Sequence, residues 1–109
     1  MSTIKVDTIK NTSNVEVYTA KAWVNFDGTT AGIRASGNVS SITDHATGEY
    51  SATFVTAMAD ANYSFVAQSS NNTYCGSFST TTSAARVTVR SGSTNATVDS
   101  SLVYMAIFR

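Results

Sequence analysis

The chain reads as an all-β domain, an antiparallel β-sandwich of about eight or nine short strands. Three observations predict it. Apolar residues recur at every second position along much of the 109-residue sequence, and no stretch sustains the helical spacing. Clusters of Gly, Asn, Asp, Ser and Thr interrupt that alternation at short intervals. The length suits one hydrophobic core, and a domain of that size needs no disulfide or metal to be stable. A closed barrel is the structural alternative.

In IKVDTI, Ile4, Val6 and Thr8 share one face, and the polar run KNTSN follows. This sets an N-terminal strand and linker, residues 1–14, apart from a sandwich domain over residues 15–109. The N-terminal strand is expected to pair with the main sheet or with another subunit, which makes Ile4 and Val6 candidate subunit contacts. VEVY offers a short strand with Val15 and Val17 on one face. In KAWVNF, Ala22, Val24 and Phe26 lie opposite Lys21, Trp23 and Asn25. Trp23 is the single tryptophan, and it has three readings: a core side chain, a subunit contact and a sugar-stacking platform. The core reading comes first, since large aromatics are more often buried than exposed.

Asp27-Gly28 predicts a tight hairpin turn through positive φ angles, with AGIRAS running back antiparallel to KAWVNF. NVSSIT is a further strand and DHATGE a loop. EYSATF places Tyr50, Ala52 and Phe54 on one face, and after the connection TAMADAN the strand YSFVAQ is expected beside it. SSNNT is a loop, YCGSFS a weak strand with Gly76 as a candidate bulge, ARVTVR a clear strand and SGSTNAT a loop. The closing SLVYMAIF is apolar on both faces, which suits a strand in the middle of a sheet or under a neighbouring subunit. The chain has no proline, and Ser, Thr and Asn side chains are expected to shape its turns instead.

Net charge is zero and 13% of residues are charged, so there is no basic stripe for nucleic acid. The 16 Ser and 17 Thr give a hydroxyl-rich surface that binds through hydrogen bonds and aromatic contacts. Cys75 is the lone cysteine, read as an inert thiol, and with one histidine it builds no Cys/His metal site. His45, beside Asp44, is the one imidazole base and is read as an exposed loop residue. The carboxylates show no paired acid/base spacing, and ordinary solvation is expected for Asp44 and Glu49, which flank one loop. No enzyme activity and no cofactor are expected. The five Asn-x-Ser/Thr triplets are read as coincidental. MSTIKVDTIK is not expected to act as a signal peptide, and no run reaches the roughly 20 apolar residues of a membrane-spanning helix. The loops SSNNTYCG and SGSTNAT have the composition of polar recognition loops, with Asn71, Asn72 and Tyr74 as candidate surface-recognition residues.

The pieces KAWVNFDGT, IRASGNVSSITD, TGEYSATFVTAM and DANYSF resemble a domain of structural proteins in tailed bacteriophages, particularly marine and cyanobacterial phages. STIKVDTIKNTSN is similar to a segment that precedes such domains in phage fibres. The resemblance covers most of residues 2–68. It departs at DHATGE, where Asp-Asn-Gly-Thr-Gly is usual, and at Ala59, where proline is common. It implies a virion component made in a host cytoplasm, self-assembly, often as a homotrimer, and contacts with other virion proteins. A small tail-fibre or fibre-tip protein binding a host-surface glycan or protein is the leading expectation. A capsid decoration protein is the alternative, and a free carbohydrate-binding module is an alternative of another class. The resemblance brings no catalytic residues.

Overall fold

A computed structural model describes residues 3, 8–70 and 72–109, and for Ser77 and Phe78 the backbone alone. The described residues form eight strands: β1 (Ala22–Asp27), β2 (Gly32–Gly37), β3 (Val39–Ala46), β4 (Glu49–Phe54), β5 (Ser64–Ser69), β6 (Thr73–Thr80), β7 (Ala84–Ser91) and β8 (Val103–Phe108). They make two four-stranded antiparallel sheets, ordered β2-β1-β8-β5 and β3-β4-β7-β6. The protein is therefore an all-β sandwich, and the barrel alternative is excluded.

The alternation read from the sequence sets the inner faces. Each of the four central strands sends three buried side chains inward: Ala22, Val24 and Phe26; Tyr50, Ala52 and Phe54; Ala85, Val87 and Val89; Val103, Met105 and Ile107. Phe26 meets Tyr50 edge to face across the core, with centroids 5.3 Å apart. Each fully buried aromatic or aliphatic side chain of this kind contributes about 1.5–3 kcal/mol through the hydrophobic effect. The edge strand β2 is almost wholly exposed.

β1 and β2 pair as expected, but the hairpin works differently. Gly28 does not supply the positive φ; Ala31 does, at 60°. Gly28 is required by close approach, because a Cβ there would collide with Ser100 O and would lie 2.7 Å from Tyr50 Oη. The expected pairing of EYSATF with YSFVAQ is also overturned. β4 lies between β3 and β7, whereas β5 joins the other sheet beside β8. The segment between β4 and β5 is too long for a hairpin loop, and its buried Met58 and Tyr63 carry the chain across the end of the sandwich.

β3 continues through Asp44 and His45, which are strand residues and not loop residues, and the turn is confined to Thr47-Gly48. The bulge in β6 falls between Ser77 and Ser79, at position 78, two positions past the expected Gly76. Among the described residues, four of the five non-glycine residues with positive φ are asparagines: Asn14, Asn38, Asn72 and Asn95. Asparagine tolerates the left-handed region through local side-chain hydrogen bonding. Asn38 illustrates it: Nδ2 donates to Lys21 O at 3.1 Å and Thr56 O at 3.0 Å, while Oδ1 accepts from Thr56 N at 2.7 Å. It pins the crossing from β2 to β3.

Residues 8–20 lie before the sandwich and are all exposed. A short hairpin forms there, with Val17 N donating to Ile9 O at 2.6 Å and Asn11 N to Val15 O at 2.9 Å. It crosses the boundary expected after residue 14, and the strand expected at VEVY is reduced to a single bridge between Lys10 and Glu16. The molecule measures 48 × 27 × 25 Å.

Candidate functional site

Outward side chains distinguish the two sheets. On the sheet β2-β1-β8-β5 the cross-strand register sets Trp23, Ala106 and Val66 in one row. Asn25, Tyr104 and Gln68 form the next row, with Phe108 beside Ser64 on the other side. Trp23 is 43% exposed, Tyr104 39%, Phe108 41% and Val66 62%. Trp23 is therefore not a core residue. Alternation fixes only which residues share a face, and Ala22, Val24 and Phe26 took the inner one.

The indole has a defined seat. A Cβ on Gly37 would collide with Trp23 Nε1 and lie 2.8 Å from Cδ1, so the pyrrole ring rests against the bare backbone of β2. An aromatic laid over a strand glycine in this way covers backbone that lacks its own side chain. Between Trp23, Tyr104 and Val66, with Ala106 as floor, lies a slot of about 470 Å³. No residue lining it is charged. Asn25 Oδ1 accepts from Arg34 Nη1 at 3.3 Å, and Arg34 is held away by Ser101 O at 2.6 Å and Asp27 at 3.7 Å. Among the described residues, Asn25 Nδ2, the Gln68 carboxamide and Tyr104 Oη have no hydrogen-bond partner.

Asn72 and Tyr74 line an adjoining hollow of about 430 Å³ at the β5–β6 loop, with Ser70, Thr73 and Cys75. Gln68 and Ala67 line both spaces, so slot and hollow meet at the end of β5. Asn72 holds a φ of 59°, and its carbonyl accepts from Gly92 N at 2.7 Å, which ties this loop to the β7 end. Tyr74 is 44% exposed. Cys75 packs partly against the core, and burial pushes its thiol pKa up, which favours the protonated form. Asn71, Ile4 and Val6 lie outside the described residues.

The remaining candidate chemistry is thin. His45 Nε2 and Ser51 Oγ are 2.7 Å apart on the other sheet, a base–hydroxyl contact. Neither residue lines the slot or the loop hollow, and among the described residues no carboxylate bonds to His45. Glu49 pairs with Arg86 at 3.4 Å, and no three His, Cys, Asp or Glu residues gather among those described. Asp99, itself exposed, belongs to a brace around the buried Tyr50. Tyr50 Oη lies 2.6 Å from Asp99 Oδ1 and 2.7 Å from Gly28 O, while Gly48 N donates to the same carboxylate oxygen at 2.9 Å. Burial, reinforced by Asp99, pushes the Tyr50 phenol pKa far above its usual value. The brace joins three loops at one end of the sandwich.

Sequence reasoning singled out Trp23, with a core role first, and Tyr74 as a recognition residue, but did not single out Tyr104, Val66 or Gln68. The signal was present in the two-faced apolarity of SLVYMAIF. No described helix is long and apolar enough to cross a membrane. No family model matches the chain, and no curated protein or solved structure matches it significantly.

Proposed function

We propose that the chain is a structural component of a tailed-bacteriophage virion, a small tail-fibre or fibre-tip protein that contributes multivalent host-surface binding. The observation that carries this reading is the exposed aromatic and carboxamide face formed by Trp23, Tyr104, Asn25 and Gln68, continuous with the loop bearing Asn72 and Tyr74. It fits the phage-domain resemblance of the β1–β5 region. A rigid sandwich bearing a neutral recognition face needs no catalytic group, and the protein is not an enzyme in this reading.

Self-assembly, as a homotrimer, falls to the N-terminal segment. Ile9, Val15, Val17 and Tyr18 project exposed apolar surface ahead of the sandwich. Linking copies through that segment makes later contacts intramolecular and raises avidity by about 100- to 10,000-fold over one domain. The same projecting hairpin favours a second reading, a capsid decoration protein that grips the shell with this arm.

Immunogold electron microscopy of intact source virions tests the proposal. Label on the tail is the expected result. Label over the head transfers the role to shell decoration, and unlabelled particles overturn both virion readings.

A further inference from the structure

We infer that the slot on the outer face of β1, β8 and β5 binds a neutral glycan, with a sugar ring seated over Ala106 between Trp23, Tyr104 and Val66. The inference rests on the host-surface reading and names its ligand class. Three features converge on it. Aromatic side chains offer flat apolar surface suited to the C–H faces of a sugar ring, and both Trp23 and Tyr104 are exposed at the slot. Asn25 Nδ2 and the Gln68 carboxamide stand on either side of Tyr104 in one cross-strand row without a partner among the described residues. A carboxamide both donates and accepts, which matches the hydroxyls of a sugar. No lining residue is charged, so the slot complements a neutral ligand better than an acidic one.

A second copy is the competing occupant. Four strands spaced about 4.8 Å apart and about 20 Å long make a sheet face of roughly 400 Å² in projection. A stable interface takes about 800 Å² of accessible surface from each partner, so a copy seated here would have to extend beyond the sheet. A slot of about 470 Å³, by contrast, lies within the ordinary range for small-ligand sites.

Trp23 is the single tryptophan, so its emission reports on this slot directly. The full chain is titrated with neutral gluco-, manno-, galacto- and N-acetylglucosamine-based oligosaccharides while tryptophan emission is recorded. At least one series is expected to give a saturable blue shift with half-saturation at about 1 mM, a single-domain affinity that multivalent display strengthens. Tyr104→Ala and Gln68→Ala, both at exposed outward positions, should each weaken it at least about fivefold, whereas Ser41→Ala on the opposite sheet should leave it unchanged. Flat titrations by folded protein overturn the inference. So does an emission shift that follows protein concentration together with a dimer in sedimentation, which assigns the face to a second copy. A loss confined to Tyr74→Ala moves binding to the loop hollow and overturns the slot assignment. The two readings fail separately: flat titrations with labelled tails sink the glycan slot alone, and saturable binding with unlabelled virions sinks the virion role alone.

Discussion

The two outer faces of the sandwich share one core yet carry opposite chemistry. On β3-β4-β7-β6 the outward row Thr43, Ser51 and Arg86 lies next to Glu49 and Thr88, and Glu49 is paired with Arg86. On β2-β1-β8-β5 the outward positions hold Trp23, Tyr104, Ala106, Val66 and Phe108. A half-solvated antiparallel sheet ordinarily alternates apolar-in and polar-out, which the first face obeys and the second does not. Isolated exposed apolar residues are unremarkable, but a contiguous aromatic patch marks a binding surface. The departure from alternation is what singles out the candidate site.

The contrast between inner and outer faces of β1 predicts the largest effect. Phe26→Ala should destabilise the fold by about 3–5 kcal/mol, read from urea midpoints, because it empties a fully buried site. Trp23→Ala should cost about 1 kcal/mol, for the uncovered Gly37, while removing the slot wall. Equal losses would return Trp23 to the core and erase the distinction between the faces.

Tyr50→Phe comes next, at about 1–3 kcal/mol, because it removes the single buried O–H that lies within reach of both Gly28 O and Asp99 Oδ1. Its pH dependence has a definite sign. Burial raises the Tyr50 pKa, and burial raises that of Tyr63 as well, so the unfolded chain releases these protons first. Their contribution is complete below the unfolded value of about 10 and declines as pH rises above it toward the folded pKa. Denaturation curves between neutral and alkaline pH should show that decline, with a shallower slope in Tyr50→Phe, where the raised Tyr63 and Cys75 groups remain. An unchanged slope would remove Tyr50 from the account.

Matched strand glycines sharpen the comparison of outer faces. Gly37→Ala should displace the indole, cost about 1 kcal/mol and change the tryptophan emission. Gly76→Ala on the polar sheet would place its Cβ 3.3 Å from Thr88 Oγ1 and should alter stability by no more than about 0.5 kcal/mol. Similar stability effects and identical emission in both variants would show that Trp23 has no special seat. Among the charge changes, Glu49→Gln should cost about 1 kcal/mol or less, as befits a single part-buried ion pair at 3.4 Å.

Much of this architecture was legible in the residues. The alternations KAWVNF and EYSATF grouped the side chains that share a face, because side chains on a strand alternate strictly between faces. With Trp23 read first as core, however, the inner face of β1 was not identified. The asparagine-shaped turns were legible in kind, although not their positions. Pairing was less accessible: β4 and β5 are neighbours in sequence but lie in different sheets, and the decision depended on Met58 and Tyr63 burying the intervening segment. Gly28 looked like a φ requirement and proved to be a packing requirement imposed by Tyr50 and Ser100, which are distant in sequence.

By itself the sequence determined the all-β class, the two faces of each strand and the neutral, hydroxyl-rich character of the surface, since these follow from local period and composition. Only the tertiary structure decided that Trp23 faces outward and that Tyr104 and Gln68 stand beside it. A strand's alternation is symmetric between its two sides. Which side becomes interior is chosen by what the opposite sheet can pack against, and here Phe26 met Tyr50 across the core while the tryptophan was left on the outer face.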